Sequence, residues 1–276
     1  MSTKLTALNA KKFMEVPKRE QIVTDRLVDW FSRNTHIPIT LEDMPLVQEL
    51  LLDESNHTRG GRFGASSRGT CERAQVFGYL GTPAEGASID YQLANIFIDG
   101  QWRHVRWQMI MMKAGVMQEP EVKFAVPELR LGTSLDGVHW DDDYLIEIKG
   151  DGTYAAVEGL KLGHDLQIGT YFLASEMSKC VYLVEKKGTN QWTEIVVRPD
   201  DVPMREVEDE LWRLNKAIDR ETLPQQLTDC SFKTGTTYRK CPYRDSCSDH
   251  DYGSASGKEV TIRRKTPKSR AKKPTA

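Results

Sequence analysis

The chain is short of several things, and each shortage narrows what it can be. No apolar run in its 276 residues approaches the length of a membrane span. The first residues, MSTKLTALNAKKFMEV, lack the apolar core of a secretory signal. Together these absences predict a cytoplasmic protein with no membrane partner. Cysteine is scarce, with five in the chain, and in a reducing compartment those five are metal ligands or core residues rather than disulfides. Net charge is also small, at −2, but unevenly placed. From Lys258 onward there are eight Lys or Arg and one Glu, so the remainder is acidic. What is present, 39% hydrophobic and 28% charged residues, fits a globular protein of one large domain or one domain with appendages.

The most informative stretch runs from Gly132 to Gly150, GTSLDGVHWDDDYLIEIKG. Apolar and polar residues alternate on both sides of an acidic turn, Asp141-Asp142-Asp143, which predicts a β-hairpin. Its first strand carries Asp136 and its second carries Glu147 and Lys149. Side chains alternate along a strand, so Glu147 and Lys149 share a face. If the hairpin pairs in register, Asp136 lies near them. Two carboxylates then offer oxygen ligands to a hard cation such as Mg2+, beside a lysine able to stabilise charge on a phosphate. The same pattern also fits a surface hairpin with a charged turn.

Around this hairpin the elements read in order. Helical periodicity covers Gln21–Arg33 and, after a cap at Thr40, Leu41–Leu52. His57–Thr70 is rich in Gly, Ser and Arg: a mobile linker, or a loop whose Arg59, Arg62 and Arg68 touch phosphates. A helix begins near Cys71. The longest helical stretch is Tyr91–Met117, in which Ile96, Gly100, His104 and Gln108 recur every four residues and share a face. Gly100 leaves room for close approach to that face. Trp102, Trp107, Ile110 and Met111 supply apolar bulk. A lone histidine on such a helix is more often structural than a ligand. Val122–Val126 reads as a strand, and His164–Met177 as an amphipathic helix carrying Gln167 and Tyr171 one turn apart. Strands follow at Lys179–Lys186 and Trp192–Arg198, then a charged helix from Pro203 to about Arg220.

Cys230, Cys241 and Cys247 then fall close together, with ten and five residues between them. Such a group signals a soft-metal or cluster site. Cys71 is the natural fourth ligand, because Cys180 belongs to a strand. No histidine stands at zinc-finger spacing, yet zinc, or a site completed by His250, stays open. The tail from Ser254 has no apolar periodicity and is expected to be disordered, solubilising or a nonspecific nucleic-acid binder.

Taken as an ordered set, these residues resemble the RecB-like nucleases of the PD-(D/E)XK superfamily, in particular the iron–sulfur exonucleases that serve CRISPR adaptation and phages. The family pattern is a helix-borne His, an Asp, Glu-x-Lys, then Gln-x-x-x-Tyr on a helix. It matches His104, Asp136, Glu147-Ile148-Lys149 and Gln167–Tyr171. Glu119 stands where some relatives carry a further acid. Cys71, Cys230, Cys241 and Cys247 match the cluster cysteines, although many relatives have only two residues in the first of the C-terminal gaps. The likeness spans roughly residues 65–250.

The resemblance implies an α/β fold: a restriction-endonuclease-like mixed central sheet flanked by helices, with an N-terminal helical layer and a C-terminal cysteine-cluster segment. The implied divisions are 1–70, a nuclease domain over 71–253, and the tail 254–276. It implies a deoxyribonuclease, an exonuclease by family habit, hydrolysing phosphodiester bonds in recombination, repair or phage DNA processing, in the host cytoplasm if phage-encoded. His104, Asp136, Glu147 and the Ile148 carbonyl would hold Mg2+ or Mn2+. Lys149 would act with them in catalysis, and Gln167 and Tyr171 would brace the site and contact DNA. The four cysteines would hold a 4Fe-4S cluster. Partners would be DNA, single-stranded or with free ends, and a recombination or replication protein. Two alternatives remain: a non-cleaving module that binds DNA ends, and a zinc-containing nucleic-acid-binding protein.

Overall fold

The computed structural model describes residues 20–34, 39–55, 60–84, 91–151, 160, 163–189, 191–231, 235–248 and 260–261. The basic tail, Arg59 and His250 therefore lie outside the described residues, apart from the tail's Val260–Thr261. Five strands form a mixed sheet in the order of the chain: β1 (Glu119–Val126), β2 (Leu131–His139), β3 (Tyr144–Asp151), β4 (Lys179–Lys186) and β5 (Trp192–Val197). Only β3 and β4 run parallel. A parallel pair needs a crossover, and the helix His164–Ser175 lies within it. The expected α/β architecture, a mixed central sheet flanked by helices, is the one observed.

Strand β3 explains why the sheet is covered on both faces. Its first five residues, Tyr144 to Ile148, are all buried. One face sends Leu145 into a core with Cys180, Tyr182, Ile168, Tyr171 and Phe172. The other sends Tyr144, Ile146 and Ile148 against Trp107, Ile110 and Met111. A strand with apolar residues on both faces is stable only between two helical layers.

Those layers can be named in order. Helices α1 (Thr24–Arg33), α2 (Met44–Ser55) and α3 (Glu72–Tyr79) precede the sheet, followed by α4 (Tyr91–Lys113). The crossover helix is α5 (His164–Ser175), and α6 (Met204–Asp219) follows β5. Leu27 and Trp30 of α1 join the core beneath β3, and α2 packs through Val47 and Leu50 on Val105 and Met109 of α4. The N-terminal layer is thus continuous with the core beneath the sheet. Glu194 of β5 fixes its approach. Its buried carboxylate accepts the backbone N–H groups of Ile22, Val23 and Thr24, the donors a helix start leaves unpaired.

The glycine-rich segment differs from expectation in its described part. Phe63 and Ala65 are buried, and Phe63 exchanges backbone hydrogen bonds around Leu131. Arg68 is buried too, hydrogen-bonded to Gln75 and 3.7 Å from Glu210 of α6. Two apolar anchors dock this stretch, and Arg68 faces the interior rather than a phosphate. Arg62 lies across Gly132, where its side chain fills the space a Cβ would take.

Candidate metal centre

The hairpin forms as the alternation predicts, with β2 and β3 paired at Gly137–Ile146, Val138–Leu145 and His139–Tyr144. One step further, Asp136 and Glu147 stand opposite each other where this ladder stops. The β1–β2 ladder pairs Pro120 with Gly137 and Val122 with Leu135, but skips Glu121 and Asp136 between them. Glu121, Asp136 and Glu147 therefore form one row across three adjacent strands, at a break in both ladders. Glu121 has φ 52°, a left-handed backbone that a glutamate rarely adopts and that surrounding structure must hold.

Asp136 is the centre of this row. Its Oδ2 accepts the backbone N–H of Ile148, a donor the interrupted ladder would otherwise leave unmade. Its Oδ1 lies 3.4 Å from His104 Nδ1, which α4 delivers from the neighbouring layer. His104, Glu121 and Asp136 each offer an atom within 4.8 Å of the others, one imidazole nitrogen and two carboxylates able to share a cation. Burial, then the neighbouring Glu147 carboxylate, pushes Asp136 up to about 7, against the opposing pull of His104 and Lys149. A carboxyl so displaced is short of positive charge.

Glu147 is 1% exposed and forms an ion pair with Lys149. Lys149 and the Tyr171 hydroxyl are set against it, and among the described residues neither of its oxygens has a well-formed hydrogen bond. A buried carboxylate left so underused suits a cation or a water held by one. Burial pulls the Lys149 ammonium down, but Glu147 and Asp136 outweigh it and leave the group raised, so it stays charged. Above Glu147, burial and then the Glu147 and Asp136 charges raise the Tyr171 hydroxyl, which accepts a hydrogen bond from Gln167.

No protein-family model matches the chain, and no curated protein does. Several solved structures resemble it distantly, among them the following. One, named SSO0001, is 14% identical, covers 75% of this chain and 96% of its own, and superposes with a TM-score of 0.45. The alkaline exonuclease LHK-Exo from Laribacter hongkongensis is 18% identical over 62% of this chain and 92% of its own, with a TM-score of 0.40. In its complex with dAMP it is 18% identical over 58% and 88%, with a TM-score of 0.42. Likenesses at this level carry no argument about activity, so the site is read from its own geometry.

Of the residues singled out in the sequence, the structure brings His104 and Asp136 together and sets Glu147 and Lys149 beside them. Ile148 meets Asp136 through its N–H, while its side chain is core. Gln167 and Tyr171 are buried and bonded to each other, a bracing position rather than an open surface. Glu119 is displaced from the role expected for it. Its carboxylate accepts Trp140 Nε1 at 3.0 Å, on the exposed side of the hairpin. The further acid is Glu121, two residues on, because the break at Pro120-Glu121 turns it inward.

Sequence reasoning put Gln108 on the His104 face but gave it no role in the site. It is 1% exposed, and its Nε2 donates to Glu121 Oε1 at 2.6 Å and to the Asp136 carbonyl at 2.9 Å. Ser134 donates to the other Glu121 oxygen at 3.1 Å. The four-residue spacing from His104 was the available signal. Gln108→Leu strips both acceptors of their donor. It should cost about 1–3 kcal/mol of stability in thermal melts and weaken Mn2+ binding in calorimetry by about tenfold or more. An unchanged Mn2+ affinity would leave Gln108 as packing alone.

The cysteines form a second locus. Cys71 precedes α3, and Cys230, Cys241 and Cys247 lie in and around α7 (Thr228–Ser231), α8 (Gly235–Lys240) and α9 (Arg244–Ser248). All four line one small, partly open cavity of about 20 Å³, with Phe77, Tyr243 and Arg73 among the other walls. Arg73 donates to Cys247 Sγ at 3.9 Å. Burial pushes the Cys241 thiol up, and Cys71 and Cys247 add to the rise. Cys180 is elsewhere, in the sheet core, as its strand position implied.

Proposed function

We propose that the protein is a divalent-metal-dependent deoxyribonuclease that hydrolyses phosphodiester bonds in strands with free ends. The observation that carries this is the row Glu121, Asp136, Glu147 with His104 at one side and a charged Lys149 at the other. An oxygen-rich donor set with one imidazole suits Mg2+ or Mn2+. His104, Glu121 and Asp136 would hold the ion, with Glu147 close by. When bound, such an ion neutralises the scissile phosphate and acidifies a water ligand. The protein's own groups do the rest. Lys149 keeps its proton and can donate to a non-bridging phosphate oxygen, where negative charge builds in the transition state. Glu147 holds Lys149 in place. Tyr171 and Gln167 close the site from α5 and exclude bulk water. Water adds to phosphorus, the bond to one sugar oxygen breaks, and that oxygen leaves with a proton.

The cysteine cavity is read as the seat of a structural 4Fe-4S cluster. Four sulfurs around one space, with the buried Arg73 beside one of them, support that reading. We keep the divisions 1–70, 71–253 and 254–276 as proposals; within the last, Val260–Thr261 pair antiparallel with Thr222–Leu223.

Lys149→Met tests the chemistry. With Mg2+ or Mn2+ and end-labelled DNA, cleavage should fall by a factor on the order of 10²–10³, while the variant still folds and binds Mn2+, with a lower metal-free melting temperature because buried Glu147 loses its partner. Wild-type cleavage by this variant would sink the assignment. Strand binding by wild type without any cleavage would instead support a non-cleaving end-binding module.

A further inference from the structure

Helix α4 divides sharply in two. Its buried residues, Arg103, Val105, Trp107, Gln108, Met109, Ile110 and Met111, all lie from position 103 onward. The preceding twelve residues, Tyr91 to Trp102, contain no buried residue and project for about 18 Å at 1.5 Å per residue. Much of what this arm exposes is apolar: Ile96 at 53%, Phe97 at 57%, Ile98 at 51% and Trp102 at 53%. Trp102, read from the sequence as apolar bulk of this helix, is exposed.

The helical period assigns faces to these residues. Phe97 precedes His104 by seven positions, so it stands on the His104 side, about 10 Å up the axis. Gly100 lies between them, one turn above His104, and has open space where a side chain would begin. Tyr91, Ile98 and Trp102 point to a different side. The arm has one carboxylate, Asp99, and it is engaged by Arg103 at 2.9 Å and Lys187 at 3.5 Å. Among the described residues of the arm no carboxylate lies on the His104 face, and Arg103 and Lys187 stand near its root.

We propose that this face is a stacking track for unpaired nucleotides leading into the metal centre. Phe97 stacks a base, and Gly100 admits the backbone at close range. At about 3.4 Å per stacked nucleotide, the separation of Phe97 from His104 spans about three nucleotides. Aromatic stacking accepts any base, so the track selects unpaired strands without reading sequence. A second copy of the chain is the weaker occupant, because a helix pair buries one apolar stripe and the arm's apolar residues point several ways. The route to the metal rests on the nuclease reading; strand binding itself does not.

The test uses the full chain and a fluorescein-labelled oligothymidylate of about 20 nucleotides, long enough to cover the track several times over, with Ca2+ in place of a cleavage-supporting ion. Phe97→Ala should weaken its binding by anisotropy on the order of 5–100-fold, with blunt duplex binding and melting temperature unchanged. Phe97→Trp should retain binding, and Tyr91→Ala, on another side of the arm, should match wild type. With Mg2+, Phe97→Ala should raise KM for the single strand and leave kcat in place. Equal binding by Phe97→Ala and wild type, or none by wild type, overturns the track. A wild-type dimer in light scattering that Phe97→Ala makes monomeric also overturns it and gives the face to a second copy. Phe97-dependent strand binding in a wild type that never cuts would sustain the track and sink the nuclease reading.

Discussion

Asp136→Asn should abolish metal-dependent cleavage and, in the same sample, make the metal-free protein more stable at pH 8. The two effects share one cause. Burial and Glu147 push the Asp136 carboxyl up to about 7 from its ordinary 3.8, so the fold prefers the protonated group. That preference is fully present as stability below 3.8 and is lost as pH rises through about 7. At pH 8 the wild type carries a buried charge it would rather not hold; asparagine carries none and can still accept the Ile148 N–H. The gain should be on the order of 1–3 kcal/mol in chelator-treated protein at pH 8, and should vanish near pH 4. Denaturant melts of both proteins across that range read the difference directly. A variant less stable than wild type at pH 8 would show that the Asp136 charge is satisfied without a metal. Stability given up in the empty site is the expected signature of a ligand awaiting its cation.

The same residues show where the sequence was legible. Alternation around Asp141-Asp142-Asp143 located both strands of the hairpin, because β2 and β3 obey the period that burial imposes. Its register, and so the meeting of Asp136 with Glu147, followed from a turn of fixed length. The helical period put His104 and Gln108 on one face. What could not be read were departures from those periods. Glu121 enters the site through a positive φ at a break in the β1–β2 ladder, and no propensity announces such a residue. Arg68 looked solvent-exposed among glycines, yet its partner Glu210 lies 142 positions later on α6, a pairing that tertiary packing alone creates. Trp102 was legible as apolar bulk, but hydrophobicity marks what can be buried, not what has a partner. The four cysteines were legible as a set, since composition flags soft ligands, but their shared cavity depended on α3 meeting the helices near the C-terminus.

Cys71→Ser should be the most destabilising single substitution at the cysteine locus, and Cys180→Ala the matched control. Cys71 sits ahead of α3 and the other three cysteines follow 159 or more residues later. A cluster joining them closes a loop of that length, and long closures restrict the unfolded chain most. By analogy with a covalent cross-link over such a loop, its loss should cost on the order of 3–5 kcal/mol. That corresponds to a melting temperature lower by roughly 10 °C. Protein purified without oxygen should be brown, with about four iron and four sulfide per chain, and Cys71→Ser should lose both colour and iron. Cys180 lies in the sheet core, away from the cavity, so Cys180→Ala should keep its iron whatever its own packing cost. Three further outcomes bear on the reading. A colourless wild type with one zinc would replace the cluster by a zinc staple and leave the stability prediction standing. Full iron content in Cys71→Ser would remove Cys71 from the ligand set. A Cys71→Ser protein without iron that melts with wild type would show that the cluster is not the staple, and that the buried contacts of Phe77 and Tyr243 hold the C-terminal helices against α3 unaided.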